Sequence, residues 1–281
     1  MESMVEVINK LSATNTQMKD DEYLKDGLIY CKKCNTPRQA RINLFGQETI
    51  VKCMCKCEKD AYIETENKAK QLEKMDRIKA LKVNSLLGKR YENVSFDTCI
   101  DTNESFVKAK ARCKKYCEIS ATVLQKGYGI YIYGDSGTGK THLTACMCNY
   151  LTEKMNQCLF TNFSEISKSI RSTFYNHTNS EENLIKNISN VDFLFLDDIG
   201  TEIMQKNGED TWVQEKMYDI INTRYNSKRP TIFTSNYSMN ELINNRGMMN
   251  KTVDRILEMS NAVLKLEGKS MRKRANEKIP F

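Results

Sequence analysis

The sequence predicts an α/β fold in which a parallel sheet lies between helices, and two observations carry that expectation. One is the run Gly134-Asp135-Ser136-Gly137-Thr138-Gly139-Lys140-Thr141, which fits the phosphate-loop pattern G-x-x-x-x-G-K-[ST]. Apolar residues Gly129 to Tyr133 precede it and His142-Leu143-Thr144-Ala145-Cys146-Met147 follow, giving strand, glycine-rich turn and helix in the order such a loop requires. The other is the alternation, from Phe106 onward, of helical patterns with short apolar runs, the mark of a parallel sheet covered on both faces.

In chain order, Val5, Ile8 and Leu11 recur at helical spacing and predict a first helix between Met1 and Tyr23. A cysteine-rich stretch follows. Residues Glu58 to Leu81 are dense in Glu, Lys and Gln without glycine or proline, which reads as a charged helix, and Lys82 to Phe96 read as a linker. The expected division is a small N-terminal domain (1–81), a linker (82–96) and a larger domain (97–281). In the latter the pattern gives a helix near Phe106 to Leu124, strands at Gly129–Tyr133, Cys158–Thr161 and Asp192–Asp197, a helix from Trp212 to Tyr225, a fourth strand at Thr231–Thr234 and a fifth at Val263–Leu266. There is no internal repeat.

Composition narrows the function classes. With 281 residues, 40% of them hydrophobic, the chain can bury a core. No apolar run is long enough for a bilayer and MESMVEVINK lacks a signal pattern, so a cytoplasmic location with no membrane contact is expected. The eleven cysteines then point to thiols or metal rather than disulfides, and two histidines leave little room for His-rich metal sites. A net charge of +7, concentrated in part at Lys269, Arg272, Lys273 and Arg274, suits a polyanionic partner, although a short basic run is most often a solvated face.

The chemistry expected at the loop is nucleotide binding. Gly134, Asp135, Ser136, Gly137, Thr138 and Gly139 offer backbone N–H groups to phosphate, Lys140 reaches the β- and γ-phosphates, and Thr141 places its hydroxyl on Mg²⁺, with His142 next to it. Phe193-Leu194-Phe195-Leu196 ends in an acidic pair at a strand's carboxyl edge: Asp197 to hold Mg²⁺ with Thr141, Asp198 to polarise the attacking water. Asn236, after the fourth strand, is placed to orient water near a γ-phosphate. Arg255 and Arg272 are candidates for stabilising phosphate charge, with Arg246 competing.

The order GDSGTGKTHL, FLFLDDIG, KRPTIFTSN, TVDRI, GKSMR resembles AAA+ ATPases of the DnaC/DnaI helicase-loader family from about Arg90 to Arg274. The resemblance implies an AAA+ P-loop core whose subunits self-associate side by side with ATP at their interfaces. On it, Gly134 to Thr141 is Walker A, Asp197-Asp198 Walker B, Asn236 sensor 1, Arg255 an arginine finger acting on a neighbour's nucleotide, and Arg272 sensor 2. Most AAA+ proteins carry Glu where Asp198 stands, so slow, switch-like ATP hydrolysis is expected. Little chain follows the fifth strand, and a large helical lid is not expected. The resemblance also implies an extra helix at Ser164 to Tyr175 that touches single-stranded DNA, through Lys168 and Arg171 on phosphates and Phe174 on a base; Trp212 is either a second stacking platform or a core residue. Plain periodicity says that Ile166 and Ile170 of this helix pack on the sheet.

Cys31-Lys32-Lys33-Cys34 and Cys53-Met54-Cys55-Lys56-Cys57 give C-x-x-C followed, across a span suited to a β-hairpin, by C-x-C-x-C. Tetrahedral zinc suits four of these five thiols, with the second pair undecided; an Fe–S cluster is the weaker alternative. Such an apolar-poor region needs metal to fold. Loaders of this kind carry a small N-terminal domain, many with a cysteine zinc site, that grips the replicative helicase. The function so implied is ATP-dependent loading of a DnaB-type hexameric helicase onto single-stranded DNA. An IstB-like transposition ATPase and a nucleotide-binding adaptor without significant hydrolysis are the alternatives.

Overall fold

The computed structural model describes residues 18–44, 46–83, 85, 87–88, 90–173, 181–201, 209–246 and 248–270. The chain divides into two compact units, residues 1–74 and 75–281.

The smaller unit is built of two antiparallel hairpins and the start of a long helix. Strand β1 (Glu22–Lys25) pairs with β2 (Leu28–Cys31) in the register Lys25 to Leu28. The two-residue turn is Asp26-Gly27, both with positive φ (53° and 71°), which is what an Asp-Gly turn supplies between right-twisted strands. The helix expected to run to Tyr23 is therefore corrected: residues 22–25 are strand, because this turn folds them back on β2, and residues 1–17 lie outside those described. Strand β3 (Gln39–Leu44) pairs with β4 (Gln47–Lys52), the hairpin expected between the cysteine groups. Arg38 braces the unit, with ion pairs to Asp21 (2.8 Å), Glu22 (2.8 Å) and Glu58 (3.2 Å). Helix α1 (Lys56–Val83) carries i,i+4 pairs such as Lys68–Glu64 and Lys70–Glu66 on an exposed surface.

The larger unit is a three-layer α/β sandwich. Strands β5 (Gly129–Tyr133), β6 (Cys158–Thr161), β7 (Phe193–Ile199), β8 (Thr231–Ser235) and β9 (Ser260–Lys265) form one parallel sheet in the order β6-β7-β8-β5-β9. Both faces are buried at β5 to β8, so these strands read as unbroken apolar runs, whereas the edge strand β9 alternates. Ile130, Ile132, Phe160, Phe193, Phe195 and Ile232 face one core; Tyr131, Leu159, Leu194, Leu196 and Phe233 face the other. Helices α2 (Glu104–Glu118), α3 (Ser120–Lys126) and α4 (Lys140–Glu153) cover the first face. The single helix expected near Phe106 to Leu124 is thus two, broken at Ile119. Helices α5 (Phe163–Thr173), α6 (Glu181–Asn190), α7 (Glu209–Asn226), α8 (Met239–Arg246) and α9 (Asn250–Met259) supply the second. Within the stretch expected as a linker, Leu87, Val94 and buried Phe96 pack against the first core.

Candidate functional site

The turn from β5 into α4 builds the site. Strand β5 is pinned between β8 and β9, so its last residue delivers the chain to the carboxyl edge of the sheet, where ligands of open α/β sheets bind. Gly134 and Gly137 have φ of 144° and 87°, and a side chain on either would strike Leu266 or Ser270, the segment leaving β9. Lys140 is buried; its Nζ donates to the carbonyls of Gly134 (2.7 Å) and Asp135 (2.9 Å) and to Asn236 Oδ1 (2.8 Å).

Strand β7 supplies the acids. Its register with β8 shifts between Leu196 and Ile199, and Asp198 takes a left-handed φ of 60°, so both carboxylates of this irregularity reach the same cleft. Thr141 Oγ1 donates to Asp197 (3.1 and 3.2 Å) and Thr234 Oγ1 donates to it from β8 (2.5 Å). Asn236 Nδ2 donates to Asp198 Oδ1 (3.0 Å), and Asp198 N donates to Thr234 Oγ1 (2.9 Å). Burial pushes the Asp197 carboxyl above the usual range, and the charge of Asp198 adds to this; the bonds from Thr234 and Thr141 oppose it. A buried carboxylate in that state, beside a hydroxyl, is a donor set that suits a hard divalent cation.

A cavity of about 300 Å³ collects these groups: Ser136, Gly137, Gly139, Lys140, Thr141, His142, Asp197, Asp198 and Asn236 line it. Arg90 and Tyr91 line it too, and sequence reasoning missed both. They precede every nucleotide-binding motif and belong to none; their signal is an aromatic–basic pair ahead of the sheet. Tyr91 meets the His142 ring edge-on, centroids 6.2 Å apart.

The other expected site residues lie elsewhere. Arg255, on α9, stacks over Tyr225 (4.3 Å) and pairs with Glu258 (3.2 Å); it does not line this cavity. Arg246 ends α8. On α5, Ile166 and Ile170 are buried against the sheet, while Lys168 is exposed and paired with Glu165 at 2.7 Å. Arg171 lies over the Trp212 ring at 5.6 Å, and that ring is half-buried against the second core. Phe174 and Arg272 lie outside the described residues.

The model of the family described as IstB-like ATP binding protein matches residues 118–279, more than half the chain. This chain belongs to that family. The replicative helicase loader DnaC of Escherichia coli (strain K12) is 28% identical over 185 residues, covering 66% of this chain and 69% of that protein. The replicative helicase loader DnaI of Bacillus subtilis (strain 168) is 33% identical over 119 residues, 42% of this chain and 36% of that one. Among solved structures, the DnaC helicase loader superposes with a TM-score of 0.55 at 26% identity, covering 64% of this chain and all of that one. The sheet and its flanking helices are thus the AAA+ P-loop fold.

This IstB-like chain also gathers a second donor set, in the smaller unit. The sulfurs of Cys31, Cys34, Cys55 and Cys57 all lie within 4.8 Å of one another. Cys31 closes β2 and Cys34 follows in the knuckle; β4 ends at Lys52, so Cys55 and Cys57 sit at the start of α1 rather than on a strand. Cys53 lies apart, its thiol on the Pro37 carbonyl (3.6 Å). The hydroxyl of Thr36, with the Cys57 backbone, draws Cys34 down to about 5, and hydrogen bonding to Cys55 pushes Cys57 up to about 12. Four converging thiols that cannot all ionise side by side fit a tetrahedral dication.

Proposed function

We propose that this protein is an ATP-dependent loader of a ring-shaped, DnaB-type replicative helicase onto single-stranded DNA. The observation that carries the reading is the identity with DnaC over more than two thirds of that loader, across the segment that forms the nucleotide cleft. ATP would sit on the loop amides with its β- and γ-phosphates at Lys140. Thr141 and Asp197 would hold Mg²⁺, which supplies charge neutralisation to the phosphates when bound. Asn236, tied to Lys140 and Asp198 at once, is placed to orient the attacking water with Asp198, giving slow hydrolysis that serves as a switch. Arg255 would complete a neighbour's site and Arg272 its own. Lys168 and Arg171 on α5, with Phe174 and Trp212, are the proposed face for single-stranded DNA.

The N-terminal domain, residues 1–81, would grip the helicase. Cys31, Cys34, Cys55 and Cys57 would hold zinc, whose binding would supply folding energy to a unit that, among its described residues, buries few apolar side chains. Co-purification with a DnaB-type hexameric helicase tests the reading. The full chain should retain the helicase in the presence of ATP, and deletion of residues 1–81 should release it. Retention of a transposase in place of the helicase would instead support the IstB-like transposition role.

A further inference from the structure

The larger unit contains a second cluster of metal-ligating side chains, apart from the cysteine module and sharing only His142 with the wall of the nucleotide cleft. Cys99, His142 and Cys146 bring their donor atoms within 4.8 Å of one another. Two elements make the cluster. His142 and Cys146 are four residues apart on α4 and so share one face of that helix. Cys99 comes from the segment between buried Phe96 and α2, which Lys110 braces by donating to the Cys99 carbonyl (2.9 Å) and to Asp101 (2.9 Å).

We propose that Cys99, His142 and Cys146 form a zinc site beside the nucleotide cleft. For ordinary Zn–S and Zn–N bonds, a tetrahedral ion needs its sulfurs about 3.8 Å apart and each sulfur about 3.6 Å from the imidazole nitrogen. The three donor atoms, all within 4.8 Å of one another, are near enough together for that arrangement. Charge agrees. Cys99 and Cys146 are 5% and 0% exposed, where an unbalanced ion would be costly, but two thiolates and one dication sum to zero and Lys110 is already neutralised by Asp101. Three protein ligands leave one position of the ion open. His142 also lines the nucleotide cavity, so metal there would hold the imidazole fixed at the cavity wall and would cross-link the segment ahead of α2 to the phosphate-loop helix.

Zinc content of the full chain separates this site from the cysteine module. Protein purified without chelator should carry about two zinc ions, and Cys31→Ser with Cys34→Ser should leave about one. That remaining ion should be lost on adding Cys146→Ala or, should that variant fold poorly, His142→Gln. Loading the module variant with Co²⁺ should give visible tetrahedral bands and thiolate charge transfer at about half the intensity of a four-cysteine site, abolished by the same second substitutions. A wild-type ion that survives Cys31→Ser with Cys34→Ser but not Cys146→Ala would support this site while removing the module's. The proposal is overturned if the folded module variant contains no zinc after dialysis against zinc-free buffer. It is equally overturned if non-reduced peptide mapping finds Cys99 and Cys146 joined as a disulfide, the pair then acting as redox thiols.

Discussion

Asp197 follows four buried apolar residues of β7, and ionising it there opposes folding. Its carboxyl is raised in the folded protein, chiefly by burial, so the native state holds this proton more tightly than the unfolded chain. The penalty is absent below the ordinary aspartate range, where both states are protonated, and grows as pH rises from there through the raised native value, above which it is present in full. A cation on the carboxylate reverses the sign. Asp197→Asn should therefore leave the nucleotide-free protein as stable as wild type or more so at pH 7.5. It should at the same time remove at least about tenfold of the Mg²⁺-dependent gain in ATP affinity, or about 1.4 kcal/mol. Thermal melts with and without Mg²⁺-ATP check both halves, and undiminished Mg²⁺ dependence in the variant would show that Asp197 is not the ligand. This residue was readable from the sequence because an acidic pair directly after four apolar residues marks the carboxyl end of a buried strand. Arg224 was not. It is wholly buried, and donates to the Ser189, Val191 and Pro230 carbonyls and to Thr231 Oγ1 at 2.6–3.0 Å, tying the start of two strands to α7. Arginines are ordinarily solvated, and nothing local marks one that serves backbone carbonyls.

At the scale of elements, the phosphate loop and the segment after β9 form one structure although more than a hundred residues separate them. Leu266 N donates to the Tyr133 carbonyl (2.7 Å), and Ser270 packs where a side chain on Gly137 would have to be. Gly137→Ala meets two obstacles together, a φ of 87° and a collision with the Ser270 side chain and backbone. ATP binding should weaken by about tenfold or more, through displacement of the loop amides or of the segment on top of them, and calorimetric titration would measure it. Gly46→Ala shares the positive φ (85°) but points into open space, so it should cost stability locally and leave ATP affinity unchanged. Equal losses in the two variants would mean that backbone strain alone, and not the contact with Ser270, is responsible. Strands β5 to β8 were legible because each is a buried apolar run ending in a polar turn, and the edge strand β9 through the short run at Val263-Leu264. The β1–β2 hairpin was missed even though Asp26-Gly27 is a strong turn signal, because the helical spacing of Val5, Ile8 and Leu11 was carried on to Tyr23, inside β1. Helices α6, α8 and α9 escaped notice as elements: all three are short, and α6 and α8 are rich in Asn, whose preference for turns masks a three- or four-residue apolar spacing.

At the scale of the whole molecule, the arginine that lines the cleft within one chain, among the described residues, is Arg90, which comes from the segment ahead of the sheet. Arg255 sits on α9 with its guanidinium over Tyr225 and does not line this cavity, so the role proposed for it is on phosphate in another subunit's cleft. Supplied in that way, an arginine raises phosphoryl-transfer rates by roughly 10³–10⁵. A subunit that depends on its neighbour for this group hydrolyses ATP in proportion to assembly, which makes the nucleotide a reporter of whether subunits are stacked. Two defective variants test the dependence. Arg255→Ala keeps its own acid pair but offers nothing to a neighbour, and Asp198→Asn offers the arginine but cannot polarise water in its own cleft. Each alone should be nearly inactive at every concentration. Mixed, the two create interfaces in which an intact Asp198 faces an intact Arg255, so phosphate release should reappear and rise steeply with total protein. If the mixture stays as inactive as its parts while both variants still bind ATP and each other, Arg255 serves only the packing of α9 against α7, and the transferred charge must be met by a different group.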